Sequence, residues 1–214
     1  MPFRGTHRSD RITRRGALAG SLALVATGAS AAGRGFQLRA DDMALGDPAA
    51  KVTVVEYASL GCPHCGHWAN EVFAPFKAKY VDTGKVRFVL RECLTGEPTV
   101  AAAGFLLARC AGPAKYFAVA EAVYRDQEIM FNGEDTPRNV LQRIAAANGL
   151  DAAKFDACLT DRAGQVALNA RNQRSVDVDK VESTPTFLIG EKRIVGFATL
   201  DELGAAIAAA SRRR

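Results

Sequence analysis

The sequence predicts an α/β fold in which a β-α-β unit and a β-β-α unit build one sheet, with an all-helical segment inserted between them. Three observations carry this. Apolar, β-branched runs at 51–57 (KVTVVEY) and 85–91 (KVRFVLR) flank a stretch with helical spacing. From about 98 to 177 there is no strand pattern, only successive Ala-rich helical stretches. Strand character returns at 186–190 (TFLIG) and 193–195, followed by an amphipathic helix at 200–209.

In chain order, residues 32–46 read as a loose leader, and Asp47-Pro48 marks a turn. The 51–57 run is too short for a helix and reads as a buried strand, which Ser59-Leu60-Gly61 breaks. Over 63–80 the apolar positions Trp68, Val72, Phe73, Phe76 and Tyr80 have helical spacing, and Pro75 is expected to kink that helix by removing a hydrogen bond. Helices are expected at 98–111, 114–126, 137–148, 151–159 and 161–177, punctuated by Gly112-Pro113, Asn132-Gly133 and Asn148-Gly149. Two strands joined through a helix require a right-handed parallel crossover, and the later hairpin adds antiparallel strands to the same sheet. Residues 47–95 and 178–211 then form the sheet-bearing domain, and 96–177 the helical insertion.

The composition, 48% hydrophobic and 24% charged, is that of a globular protein able to bury a core. The net charge of +5 is concentrated at the ends: residues 1–39 carry seven Arg against one acid, and residues 212–214 are all Arg. Residues 40–211 hold 18 Lys and Arg against 22 Asp and Glu, a net of −4, so the basicity does not describe a nucleic-acid-binding surface. Residues 1–31 have the order of a cleavable export signal. A basic stretch ends in Arg14-Arg15, an apolar Ala-rich segment follows, and small residues surround a cleavage site after Ala31. The arginine pair resembles a twin-arginine address, which places the mature chain in the periplasm as a soluble protein. The alternatives are an uncleaved anchor, for which the apolar segment is short, and a mitochondrial transit peptide.

The motif that carries chemistry is Cys62-Pro63-His64-Cys65 at an exposed helix start. Disulfide exchange needs a thiolate nucleophile and a second thiol to resolve the mixed disulfide. Unpaired N–H groups at a helix N-terminus stabilise the first thiolate, Pro63 suits the first helical position, and His64 adds a donor or cation beside Cys62. Cys62 is therefore assigned as the attacking thiol and Cys65 as the resolving thiol. A stabilised thiolate is a good leaving group and favours the reduced form, so the pair is poised to give its disulfide away. A c-type haem site would need His where Gly66 stands. A zinc site would need a second ligand pair, so no metal or other cofactor is expected beyond the redox disulfide itself. A purely structural loop is the remaining alternative.

Glu56 lies six residues before Cys62, on the same strand face as Val52 and Val54. If buried it has a raised pKa and is placed to exchange a proton with Cys65; the alternative is an exposed edge-strand Glu. Thr184-Pro185-Thr186 opens the later strand. By spacing alone the proline reads as trans, since only about 5–6% of X–Pro bonds are cis.

Glu56-Tyr57-Ala58-Ser59, Cys62-Pro63-His64-Cys65 and Thr184-Pro185-Thr186 together closely resemble the DsbA-like branch of the thioredoxin-fold oxidoreductases, from about residue 42 to 209. The resemblance implies a thioredoxin fold with an inserted all-helical domain. It implies a cis-proline at Pro185 beside the sulfurs, substrate contact at the Thr184 backbone, and Glu56 as a buried acid beneath the cysteines. Its activity would be that of a dithiol oxidase acting on unfolded or newly exported cysteine-containing proteins. A membrane quinone oxidoreductase of DsbB type would reoxidise it, and it would work as a monomer. Thr184 departs from the Val common at this place and occurs also in isomerase-type relatives, so a reductase or isomerase stays open, as does a non-catalytic chaperone or metal-binding protein. The resemblance also points to a Cys110–Cys158 disulfide in the insertion, which would stabilise the fold by about 4 kcal/mol through loop closure. Cys93 is then left as a buried, inert thiol. Trp68 reads as core or groove lining, and His67 as solvent-facing.

Overall fold

The protein, described by a computed structural model for residues 1–2 and 37–213, forms a five-stranded mixed sheet with helices around it. Apart from residues 1–2, the export segment read at 1–31 lies outside the described residues. The strands are β1 (Met43–Leu45), β2 (Val52–Ala58), β3 (Val86–Glu92), β4 (Thr186–Ile189) and β5 (Lys192–Val195), in the order β1-β3-β2-β4-β5. β2 and β3 are parallel, with Val54 opposite Phe88 and Glu56 opposite Leu90. β4 pairs antiparallel with β2, and β5 with β4 across a turn in which Gly190 takes φ +59. This is the predicted arrangement: a parallel β-α-β crossover to which the later hairpin adds.

One strand falls where a loose leader is expected. β1 pairs antiparallel with β3 at the sheet edge. A polar lock holds the segment there: Arg91 on β3 donates to both Asp42 carboxylate oxygens (2.9 and 3.0 Å) and to the Gln37 carbonyl (2.8 Å). Arg39 reaches Asp179 at 2.7 Å. Such ties between distant positions leave no local pattern in a three-residue strand.

Helix α1 (Pro63–Trp68) follows β2 and runs on to Val81 through a π turn (Ala69–Phe73), α2 (Ala74–Phe76) and a second π turn (Lys77–Val81). Pro75 does not end it. The hydrogen bond that proline cannot make is absorbed in the wider turns on either side, where bonding shifts to i→i+5. The insertion comprises α3 (Pro98–Cys110), α4 (Tyr116–Arg125), α5 (Gln127–Phe131), α6 (Pro137–Ala147), α7 (Ala152–Thr160) and α8 (Arg162–Asp177), and α9 (Leu200–Arg212) closes the chain. Of these only the short α5 was not expected. Pro98 and Pro137 open their helices, and Thr136, Asp151, Asp161 and Thr199 cap theirs through side-chain oxygens. A disulfide joins Cys110 at the end of α3 to Cys158 in α7, with Cα atoms 6.0 Å apart.

Alternation along β2 decides the two faces of the sheet. Val52, Val54 and Ala58 point into the main core with Trp68, Phe76, Phe88 and Phe187, while Val55 and Tyr57 pack on the other face with Val89, Cys93 and Val181. Trp68 is fully enclosed, and its indole N–H donates to the Ala198 carbonyl at 3.0 Å. No helix among the described residues is long and apolar enough to cross a membrane.

Candidate active site

Cys62 stands at the N-cap of α1 in extended conformation (φ −98, ψ 119), with Pro63 at the first helical position. The expected exposure is not there: Cys62 is only 6% exposed. The Cys62 thiol donates to the Thr184 carbonyl at 3.5 Å, and the Thr184–Pro185 peptide is cis. Cys65 is fully buried behind it and accepts from the Ser59 N–H at 3.5 Å. Both are free thiols.

The surroundings split the two sulfurs. Cys62 is pulled down from the ordinary thiol range to about 5; the hydrogen bond with Cys65 contributes most, burial opposes it, and the Thr184 side chain and the N–H groups of Cys65 and His64 add to the lowering. His64, between the two cysteines, is exposed. Burial pushes the Cys65 thiol far above the ordinary range, and the hydrogen bond with Cys62 and the Glu56 charge push it further. Of the two sulfurs, Cys62 is the one whose thiolate the surroundings favour.

Glu56 is 2% exposed and faces the main core beneath the pair, as alternation with Val52 and Val54 requires. Burial, with the Cys62 charge second, raises its pKa well above the carboxylate range. Its Oε1 has no hydrogen-bond partner among the described residues, nor has the buried Tyr124 hydroxyl, which feels the charges of Cys65 and Glu56. Burial also raises the Cys93 thiol, to about 12, on the far face of the sheet, away from the dithiol. His67 is exposed and packs on Phe197, ring centroids 5.0 Å apart.

Gln127, Gly66 and Thr95, which help hold this site, belong to no motif read from the sequence. The buried Gln127 amide reaches across from α5 to donate to the Leu60 carbonyl (2.8 Å) and the Cys62 carbonyl (3.3 Å). A Cβ on Gly66 would lie 2.0 Å from the Gln127 side-chain oxygen, so glycine there makes room for the amide. Ser59 Oγ donates to the Thr95 carbonyl (2.8 Å), and Thr95 Oγ1 lies 2.6 Å from Thr184 Oγ1.

A family model described as Thioredoxin matches residues 39–209. The chain belongs to the thioredoxin family. This thioredoxin-family chain is 29% identical over 172 residues to a protein of Rickettsia bellii provisionally named a protein-disulfide oxidoreductase, covering 80% of the chain and 65% of the relative. A Rickettsia prowazekii protein of the same provisional name is 30% identical over 154 residues, 72% of the chain and 56% of the relative. The thioredoxin-family chain therefore spans roughly three fifths of the length of these curated relatives. Its structural neighbours are DsbA-like: the crystal structure of Wolbachia pipientis alpha-DsbA1 matches with a TM-score of 0.72 at 26% identity, over 82% of this chain and 94% of that one.

Proposed function

We propose that this chain is a protein thiol:disulfide oxidoreductase of DsbA type that donates the Cys62–Cys65 disulfide to cysteine-containing proteins newly delivered to the periplasm. The observation that carries this reading is the opposite displacement of the two thiols, Cys62 down to about 5 and Cys65 upward. In the donating direction a substrate thiolate attacks Cys62 Sγ, the Cys62–Cys65 bond breaks, and Cys65 takes up a proton, for which the buried Glu56 carboxyl is the nearby source. A second substrate thiolate then attacks the substrate sulfur of the mixed disulfide and expels Cys62 as a thiolate. Substrate loses two electrons and the protein gains them. A leaving group with a low pKa makes the last step fast and the reduced form stable, which is the condition for an oxidant. The Thr184 backbone beside Cys62 is positioned to align a substrate strand, and a quinone-linked membrane protein of DsbB type would restore the disulfide. The scheme needs no cofactor beyond the disulfide.

Thiol trapping in cells tests the direction: Cys62 and Cys65 are expected to be predominantly oxidised. A predominantly reduced pair sinks the oxidase and turns the reading to a reductase or isomerase.

The pH dependence has a definite sign. The folded Cys62 value of about 5 lies below its ordinary value of 9.0, so the thiolate adds stability to the reduced protein that is complete above pH 9, shrinks as the pH falls, and is gone below about 5. Thiolate absorbance of the reduced protein is expected to rise with a midpoint near 5, and the urea midpoint of reduced wild type relative to reduced Cys62→Ala is expected to grow between pH 5 and 9. A thiolate transition near the free value of about 8.5 removes the oxidant argument.

A further inference from the structure

The Cys110–Cys158 disulfide has no part in the mechanism above, yet it is not sealed inside the insertion. Both cysteines line a pocket of about 460 Å³. Pockets that hold small ligands run from about 300 to 1,000 Å³. Cys110, the last residue of α3, is exposed, whereas Cys158 in α7 is 5% exposed. The bond is therefore open to a nucleophile from the Cys110 side, with Cys158 as the enclosed partner. None of the residues that line this pocket is among those described around Cys62 and Cys65.

The charged residues of the pocket wall are Lys115, Lys154 and Asp161. Asp161 is occupied as a helix cap, its two carboxylate oxygens accepting from the Ala163 and Gly164 N–H groups (3.0 and 3.1 Å). Lys115 is fixed at the wall by donating to the Asn148 carbonyl at 2.8 Å. The Lys154 ammonium has no hydrogen-bond or ion-pair partner among the described residues. Lys154 stands four positions before Cys158 on α7, so the two share one helix face, and Cys158 leans back toward it. The wall is thus positive where it meets the disulfide, on a body whose residues 40–211 carry a net charge of −4.

We propose that this pocket is a second thiol-exchange site, built for small thiols that carry carboxylates. The incoming thiolate attacks Cys110 Sγ, a bond forms between the two sulfurs, and the Cys110–Cys158 bond breaks. Its electron pair leaves with Cys158 as a thiolate beside the Lys154 ammonium and then takes a proton from solvent. Lys154 acts twice, drawing the anionic thiol into the pocket and stabilising the departing charge. A second molecule of the thiol attacks the sulfur of the first, releases it as a symmetric disulfide and leaves Cys110 and Cys158 as thiols. The link between α3 and α7 therefore responds to the surrounding small-thiol pool, independently of the Cys62–Cys65 pair.

The test uses the full chain carrying Cys62→Ala and Cys65→Ala, so that this disulfide alone can exchange. The probes are reduced glutathione, an anionic thiol, and cysteamine, a cationic one. Aliquots are quenched with N-ethylmaleimide and the cysteine-bearing peptides are weighed by mass spectrometry. Glutathione is expected on Cys110 and N-ethylmaleimide on Cys158, while circular dichroism stays that of the folded protein. The ratio of the glutathione and cysteamine opening rates is expected to fall by on the order of tenfold in Lys154→Glu, and less in Lys154→Met. At molar salt the difference between the variants is expected to shrink. Taking the ratio cancels any general change in stability, so a bond reached only through unfolding would leave it the same in Lys154→Glu. That unchanged ratio overturns the proposal, as does a disulfide that stays closed in the folded protein or an adduct on Cys158 instead of Cys110.

Discussion

Cys62→Ala is expected to cut disulfide transfer to a reduced cysteine-containing peptide by on the order of a thousandfold or more, to background, while the protein stays folded. Cys65 cannot take over. It is fully buried, and its thiol is pushed far above the ordinary range by burial and by its neighbours. Cys93 cannot either, since it lies on the opposite face of the sheet, buried and raised to about 12. The truncation removes one sulfur and leaves the Trp68–Phe187 ring contact of the core, centroids 4.8 Å apart, in place. The measurement is the rate of peptide oxidation by the pre-oxidised protein, with circular dichroism to confirm the fold. Retention of a substantial fraction of the wild-type rate would refute the assignment of Cys62 and with it the proposed function.

Glu92→Gln is expected to destabilise the protein by about 3–5 kcal/mol, the cost of breaking a buried ion pair on one side. The Glu92 side chain ends β3 with no exposed surface. Its Oε1 accepts from Arg109 of α3 (2.6 Å) and Tyr116 of α4 (3.0 Å), and its Oε2 from Arg171 of α8. One carboxylate thus ties three helices of the insertion to the sheet. Glutamine keeps the shape but removes the charge, and its amide hydrogens face donors, so two largely enclosed guanidinium groups lose their counter-ion. The exposed pair Arg138–Asp156, at 60% and 57% side-chain exposure, is the control: Arg138→Ala is expected to cost under about 1 kcal/mol. Urea denaturation measures both. A Glu92→Gln loss no larger than the control would show that the insertion is held by apolar packing alone.

The Cys62–Cys65 pair was legible because its setting is local. Two cysteines with only Pro63 and His64 between them, a proline at the first helical position and a strand immediately before them are all near-neighbour features, and strand alternation was enough to send Glu56 toward the core. The helices of the insertion were legible for the same reason: their caps and breakers lie within a turn of each end. Pro75 was legible as a disturbance of its helix, and the π turns on either side of it are where the regular bonding gives way. The strand Met43–Leu45 and the helix Gln127–Phe131 were missed because each is too short to show a period.

The order of elements and the Cys62–Cys65 pair, then, belong to the sequence by itself, since hydrophobic period and turn chemistry act between near neighbours. What sets the behaviour of the two thiols belongs to the tertiary structure. Thr184 and the cis peptide at Pro185 are brought to Cys62 from 122 positions away, Gln127 from 65, and Thr95 meets Thr184 across 89. Hydrogen bonds and burial at that separation have no period and no spacing, and exist only once the sheet has placed the loops that carry them side by side.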